Sequence, residues 1–162
     1  MSTASDQSRA NIIKADSIKH DSRASIADIM VKNYLTHREI YDYDNLKTQF
    51  IFIQNNSTRI VFRKFYNFMN IDNPDSPVMR YQKYIRRSIE ITSTTYTKPD
   101  EAVITFNSVA KNTGGEKSED MVWQATINFQ IDELNLDLPP DSRFNFAVTN
   151  YRLKLLQDKM SK

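Results

Sequence analysis

The chain has 162 residues, of which 40% are hydrophobic and 26% are charged, and its net charge is +2. This length corresponds to one domain, the composition is that of a globular protein, and the near-neutral charge excludes nucleic-acid binding driven by bulk positive charge. Because the chain has no cysteine, two histidines and two adjacent glycines, it offers no disulfide, no thiolate zinc site and no glycine-rich phosphate loop, and we expect neither a metal nor another cofactor.

The sequence predicts three parts. Residues 1–24 are mostly polar and predict a poorly ordered lead-in segment, residues 25–155 predict a single domain, and residues 156–162 predict a C-terminal tail. No uncharged stretch approaches the roughly 20 residues of a membrane-spanning helix. The polar first residues also lack the apolar core of a signal peptide, so we expect a soluble polypeptide.

Three helices are predicted in the first half of the chain. The first begins at Ser25, because Ser25 and Asp28 have the spacing of a capping box. Its apolar stripe consists of Ala27, Met30, Val31, Tyr34 and Leu35 and continues toward Arg38 and Tyr41. This recurrence at three- and four-residue intervals is typical of an amphipathic helix.

The second and third predicted helices are shorter. Asp42 or Asp44 caps the second helix, and Ser57 or Thr58 begins the third. The predicted apolar faces are Leu46, Phe50 and Ile53 in the second helix, and Val61, Phe65, Phe68 and Met69 in the third. Two prolines in residues 70–77 then predict a loop that ends the helical half.

Beyond this loop the apolar residues alternate, which predicts four antiparallel strands. The first strand runs from Ile85 to about Tyr96, and Gly114 and Gly115 form a hairpin turn before the third. The buried face of the third strand is predicted to be Met121, Trp123, Ala125, Ile127, Phe129 and Ile131. The last strand is predicted to contain Phe144, Phe146, Val148 and Tyr151. The predicted fold class is therefore α+β, with N-terminal helices packed on a strongly curved four-stranded antiparallel sheet.

The predicted buried face of the third strand has no titratable side chain. A catalytic acid or base would have to project into this apolar concavity, so we expect a filled cone whose function lies on its exterior. His37 follows the stripe of the first helix, where a histidine is more often solvated or at an interface than catalytic. The alternative is a small-ligand-binding protein or an enzyme on the same cone-shaped fold, which predicts an open cavity with an inward carboxylate or histidine.

A basic cluster in residues 80–87 has two interpretations. It consists of Arg80, Lys83, Arg86 and Arg87, interleaved with Tyr81 and Tyr84. Such a mixture can bind single-stranded nucleic acid, but in a nearly neutral chain a solvated loop and strand edge is the simpler interpretation. An acidic stretch over residues 132–141 adds a patch of the opposite sign, and the combination favours contacts with other proteins.

Residues 29–42, which read Ile-Met-Val-Lys-Asn-Tyr-Leu-Thr-His-Arg-Glu-Ile-Tyr-Asp, resemble the first periplasmic helix of the eighth VirB subunit family of bacterial type IV secretion systems. Residues 87–91 at the start of the sheet, the strand with Trp123, and residues 144–152 at its end match the order of motifs in that family. The resemblance covers residues 26–153, which is most of the chain.

The resemblance implies a nuclear-transport-factor-two-like fold and a non-enzymatic assembly factor. The implied location is the periplasmic side of the inner membrane, in a single-pass protein whose membrane helix is not part of this sequence. The implied partners are a second copy, bound weakly, and other channel and scaffold subunits of the secretion system, but no nucleic acid.

The resemblance also implies candidate contact residues. They are Met30, Tyr34, His37, Arg38, Tyr41, Pro139, Pro140, Asp141 and Phe144. The family often has an Asn-Pro-x-Gly motif before its last strand, whereas residues 138–144 here read Leu-Pro-Pro-Asp-Ser-Arg-Phe, so a proline is kept and the asparagine and glycine are lost. For Arg38 and Glu39 the simpler interpretation is an exposed helix-surface pair that contributes little stability.

Overall fold

The computed structural model describes residues 23–133, 137, 139 and 144–161. The expected lead-in segment therefore lies outside the described residues as far as residue 22. The described residues form one helical layer followed along the chain by one sheet.

The helical layer contains four α-helices within the described residues. α1 spans residues 23–39, α2 spans Leu46–Asn55, α3 spans Arg59–Met69 and α4 spans Pro77–Tyr81. A 3₁₀ turn, Tyr43–Asn45, leads into α2, and the Asp42 side chain caps this turn by accepting a hydrogen bond from the backbone N–H of Asp44. No helix in the described part of the chain is long and apolar enough to cross a membrane.

Two details of the predicted helices were wrong. Ser25 lies inside α1 and not at its start, and Arg23, the first described residue of α1, donates a hydrogen bond to a backbone carbonyl of the sheet. The helical half does not end at residue 70, because α4 follows the loop. In α4, Pro77 occupies the first helical position and the Ser76 side chain caps the helix, a combination that stabilises even a short helix.

The four strands pair antiparallel in the order β1-β2-β3-β4. β1 spans Ile85–Lys98, β2 spans Glu101–Asn112, β3 spans Lys117–Glu133 and β4 spans Phe144–Asp158. Of the two glycines in the turn before β3, only Gly115 adopts a positive φ, of 82°. The predicted α+β fold, with N-terminal helices packed on a four-stranded antiparallel sheet, is confirmed.

β4 is longer than its apolar pattern suggested. Its pairing with β3 continues until Asp158 lies opposite Met121, so residues 156–158 of the expected tail belong to the sheet. Its outer edge is covered at Val148, which forms a parallel bridge with Ser57 in the segment between α2 and α3.

The hydrophobic core lies between the helices and the concave face of the sheet. Its largest fully buried aromatic side chains are Tyr34, Tyr41, Phe65, Phe106 and Phe129. Burial of one such side chain stabilises the folded state by about 1.5–3 kcal/mol. Most of the buried apolar side chains among the described residues belong to the apolar stripes of α1 and α3 and to the concave faces of β2 and β3. Phe68, which was predicted to face this core from α3, is 51% exposed.

Candidate functional site

A cavity of about 370 Å³ opens between the helices and one end of the concave face of the sheet. The C-terminal end of α1, together with α3 and α4, forms one side, and β1, β3 and β4 form the other. The apolar part of its wall includes Phe65, Phe68, Met69, Met121, Trp123 and Leu153. The cone is thus open at this end, and the expectation of a completely filled interior was wrong.

The polar part of the cavity wall is a buried ion network centred on Arg87 of β1. Its Nη1 lies 3.0 Å from Glu39 Oε1 at the end of α1, and its Nε lies 2.6 Å from Glu119 Oε2 at the start of β3. The three side chains are 10%, 9% and 8% exposed, respectively. Charges in such a position require partners, because the desolvation of an unpaired charge is strongly unfavourable.

Two tyrosines complete the network. Tyr151 of β4 donates its hydroxyl hydrogen to Glu39 Oε2, and Tyr81 of α4 donates to Glu119 Oε1 at 2.9 Å. Each of the four carboxylate oxygens therefore accepts a hydrogen bond from either Arg87 or a tyrosine. The network joins four different elements to β1.

The protonation equilibria follow from this arrangement. Burial by itself would raise the pKa of Glu119, but the charge of Arg87 and the hydrogen bonds to the carboxylate outweigh it and hold this pKa below its ordinary value. Burial and the neighbouring Glu119 raise the pKa of Tyr81 to about 12. Burial and Glu39 raise the pKa of Tyr151 well above the ordinary value of a tyrosine. At neutral pH Glu119 is therefore ionised, and Tyr81 and Tyr151 are neutral.

Arg38 lies beside the network with a different environment. Its guanidinium carbon is 3.9 Å from the centre of the Tyr151 ring, and its Nη1 donates to the Tyr34 hydroxyl at 2.9 Å. Within the described residues Arg38 forms no ion pair. This half-buried cation therefore retains donors that can bind an anion entering the cavity.

The candidate contact residues of the sequence analysis fall into different environments. Tyr34 and Tyr41 are 0% and 2% exposed and pack in the core of this chain, so they offer no surface to a partner in this conformation. Met30, Arg38 and Phe144 are half-buried, as is His37, which stacks on Phe52 with ring centres 3.9 Å apart. Pro139 is exposed, whereas Pro140 and Asp141 lie outside the described residues.

Three interpretations of charged residues were wrong. Glu39 does not form an exposed pair with Arg38, because its carboxylate is buried against Arg87. The concave face of β3 does carry a titratable residue, Glu119, two positions before Met121. The cluster over residues 80–87 is not uniformly solvated, because Arg87 and Tyr81 point inward while its other members are exposed.

Two of these residues had a signal in the sequence. Arg87 lies in phase with Ile85, Ile89 and Ile91, the inward row of β1. Glu119 lies in phase with Met121 on β3. A charged residue that continues an apolar alternation is a candidate for a buried, paired charge. Among the described residues, no group of three acidic or histidine side chains is arranged to hold a metal ion.

Comparison with known proteins identifies relatives of this chain. The family model described as VirB8 protein matches residues 4–154. Among solved structures, VirB8 of Agrobacterium tumefaciens is similar with a TM-score of 0.71 and 22% identity, over 82% of this chain and 92% of that one. A TrwG component of a type IV secretion system from Bartonella birtlesii is similar with a TM-score of 0.69 and 20% identity, again over 82% and 92%.

A third similar structure contains a ligand. It is TraE protein in complex with 2-(2-furyl)isonicotinic acid, with a TM-score of 0.67 and 19% identity, over 82% of this chain and 96% of that one. No curated protein matches the chain by sequence.

Replacement of Arg87 by methionine tests the ion network. The substitution leaves two buried carboxylates without their cation, so we expect the free energy of unfolding at neutral pH to fall by about 3–5 kcal/mol in urea denaturation.

The substitution also changes the sign of the pH dependence of stability. In the wild type, Glu119 has a lowered pKa, so its contribution to stability is present above about pH 4.5 and is lost as the pH falls. In Arg87→Met, burial raises the pKa of Glu119, and acidification from neutral pH relieves the destabilisation.

Arg86→Met is the matched control for this experiment. The Arg86 side chain is 72% exposed and its ion pairs with Asp42 and Asp44 lie at the surface, so its loss should cost less than about 1 kcal/mol. Equal stability of the Arg86 and Arg87 variants would contradict a structural role for the buried charge.

Replacement of Tyr81 by phenylalanine tests the alkaline side of the network. Because the Tyr81 pKa is raised from 10.0 to about 12, its hydrogen bond to Glu119 stabilises the fold below pH 10 and is lost as the pH rises toward 12. We expect Tyr81→Phe to be about 1–3 kcal/mol less stable than the wild type below pH 10, and the difference to shrink between pH 10 and 12. Thermal and urea denaturation over this range measure it. The same change at exposed Tyr84 should leave a small difference that does not vary with pH.

Proposed function

Because the chain belongs to the VirB8 protein family, we propose that it is a periplasmic domain of a bacterial type IV secretion system, associated with the inner membrane, and that it acts as a non-enzymatic assembly component. In this role it binds a second copy of itself weakly and contacts other subunits of the channel. The observation that carries the proposal is the match of one family model to residues 4–154, which include nearly all of the described fold.

The chemistry of the cavity supports a structural role for its charges. Arg87 is occupied by two carboxylates, and each oxygen of those carboxylates accepts a hydrogen bond. A general acid or base needs a pKa near the working pH, whereas the pKa of Glu119 is lowered and those of Tyr81 and Tyr151 are raised by their contacts in the network. The arrangement is typical of a network that fixes the positions of helices and strands.

The outer face of α1 is the proposed surface for self-association. Ile29 is 59% exposed, Asn33 is exposed, and Met30 and His37 are half-buried beside them. The spacing places these side chains on adjoining turns of one helix. A second copy would bury the apolar side chains of this face. Exposed Pro139 and half-buried Phe144, the first residue of β4, are the proposed contacts for another channel subunit.

Replacement of Ile29 by aspartate tests this surface. A carboxylate cannot be buried against an apolar partner without a large desolvation cost, so we expect the dimer dissociation constant to increase at least roughly tenfold. Sedimentation equilibrium over a wide concentration range measures the constant, because self-association of the isolated domain should be weak.

Ile60→Asp is the matched control, because Ile60 of α3 is also exposed, at 68%, and lies outside the proposed surface. Its dissociation constant should equal that of the wild type. A strict monomer at high concentration for the wild type, or equal effects of both substitutions, would contradict self-association through α1.

The open cavity favours a second candidate function, the binding of a small aromatic carboxylate. A volume of about 370 Å³ lies within the usual range of roughly 300–1,000 Å³ for small-molecule sites. The apolar walls suit a ring, and Arg38 can donate to a carboxylate. The complex of the similar TraE protein with 2-(2-furyl)isonicotinic acid supports this choice of ligand class.

Titration of the ¹⁵N-labelled protein with 2-(2-furyl)isonicotinic acid tests this function. Trp123 is the one tryptophan of the sequence and lines the cavity, and its indole N–H donates to Ser108. We expect a saturable shift of this indole resonance, and a dissociation constant roughly tenfold weaker in Arg38→Gln because a charged hydrogen bond is lost. The exposed α3 residue Arg63 provides the control Arg63→Gln, which should bind like the wild type. Shifts confined to another surface would exclude the cavity as the binding site.

A further inference from the structure

The second half of β4 has no segment paired to its outer side among the described residues, so it forms an open edge in this part of the structure. The edge is closed at Val148, because the N–H of Val148 donates to the Asn56 carbonyl at 2.8 Å and the N–H of Thr58 donates to the Val148 carbonyl at 3.0 Å. Beyond this contact, the backbone of Tyr151, Leu153 and Leu155 forms no hydrogen bond within the described residues apart from those of the sheet itself. An edge of this kind presents unpaired backbone donors and acceptors in a row.

The strand register identifies the backbone groups that point outward. In an antiparallel ladder, alternate residues direct both their N–H and C=O groups to the same side. Phe129 of β3, which lies opposite Val148, directs its N–H toward Asp100 and away from β4. Ile127, Ala125 and Trp123 follow in the same phase, so their partners Tyr151, Leu153 and Leu155 direct their backbone groups away from β3.

The side chains along this edge form two distinct rows. The concave row contains Leu153 and Leu155, which are 42% and 45% exposed and which continue the apolar wall of the cavity. The convex row contains Arg152 and Lys154, both exposed and both without an ion pair among the described residues. The edge therefore offers apolar contacts on one face and two cations on the other.

We propose that this edge, from Tyr151 to Leu155, binds an extended segment of a partner protein in which acidic residues alternate with apolar ones. The segment adds a fifth strand to the sheet, with its backbone paired to the outward groups of β4. Its apolar side chains cover Leu153 and Leu155, and its carboxylates lie beside Arg152 and Lys154.

The charges of the edge select this occupant over a second copy of the chain. In a symmetric antiparallel pair of β4 strands centred on Leu153, Arg152 of one copy would lie opposite Lys154 of the other. Like charges in directly opposite positions of a sheet are destabilising. The same two cations that oppose pairing with a second β4 strand attract an acidic strand. They therefore favour the acidic partner and disfavour a second copy of the chain.

This inference goes beyond the proposed function and does not require it. It concerns a surface on β4, whereas the proposed self-association uses the outer face of α1. It stands on the exposed leucines of the edge, and on backbone groups and two cations that have no partner in the part of the chain that the structure describes.

Fluorescence anisotropy with a labelled nonapeptide tests the proposal. The probe alternates glutamate and valine, and a second probe of the same length has lysine in place of glutamate. We expect saturable binding of the acidic peptide to the wild-type domain and weaker binding of the basic one. Lys154→Glu should weaken binding of the acidic peptide at least roughly tenfold and strengthen binding of the basic peptide.

Two further variants separate backbone pairing from charge. Leu153→Pro removes a backbone N–H that points away from β3, so the pairing of β4 with β3 keeps all its hydrogen-bond donors. The substitution should therefore abolish binding of the added strand. Lys47→Glu makes the same charge change on the exposed surface of α2 and should bind the acidic peptide within twofold of the wild type. If Leu153→Pro fails to fold, the charge-reversal comparison still decides the proposal.

Three results of the peptide titrations would overturn the proposal. They are no saturable binding of the acidic peptide to the wild type, equal binding of both peptides, and unchanged binding by Lys154→Glu. A dimer detected by sedimentation that persists in Ile29→Asp but is lost in Leu153→Pro would assign the edge to a second copy, and would also overturn it. Loss of self-association in Ile29→Asp alone bears only on the proposed function.

Discussion

The structure depends on the burial of one cation. The guanidinium group of Arg87 lies between the carboxylates of Glu39 and Glu119, and a charge in this position is tolerated only when it is paired and hydrogen-bonded. The two carboxylates belong to different parts of the fold, 48 and 32 positions away from Arg87 along the chain. None of the three charges has its partners until α1, β1 and β3 have come together, so the network couples the helical layer to the sheet.

The same network explains how polar side chains can line the open end of the cone. Tyr81 and Tyr151 extend the hydrogen bonds to α4 and β4, and their raised pKa values keep them neutral donors. Polar groups that form hydrogen bonds with one another can line a cavity, and no apolar side chains need to cover them. The cavity thus combines a hydrogen-bonded polar floor with apolar walls.

The sequence predicted the elements and the fold class but missed the polar centre of the domain, for physical reasons. Alternation in β3 and the apolar stripe of α1 reflect local burial, so they identify the strands and helices and the side that each one buries. Arg87 occupies an inward position among the isoleucines of β1, in phase with their alternation. The composition of residues 80–87 instead indicated a solvated basic cluster, to which Arg87 was assigned. Its pairing with Glu39 and Glu119 could not be predicted, because contacts between distant segments are set by the way the elements pack.

The burial of Arg87 also explains how β1 keeps its register. The backbone N–H and carbonyl of Arg87 both pair with Tyr41 at 3.0 Å, so the residue that buries the charge also anchors the start of the strand to the end of the helical layer. A shift of β1 by one residue would turn Arg87 to the convex face and bring Arg86 inward, away from Asp42 and Asp44. Such a shift would also turn Ile89 and Ile91 outward. An apolar residue at position 87 would favour the correct register through burial alone, whereas a cation adds the requirement that two specific carboxylates be met. The charge at this position therefore makes the correct pairing of helix and strand more exclusive, at a desolvation cost that a purely apolar core would not carry.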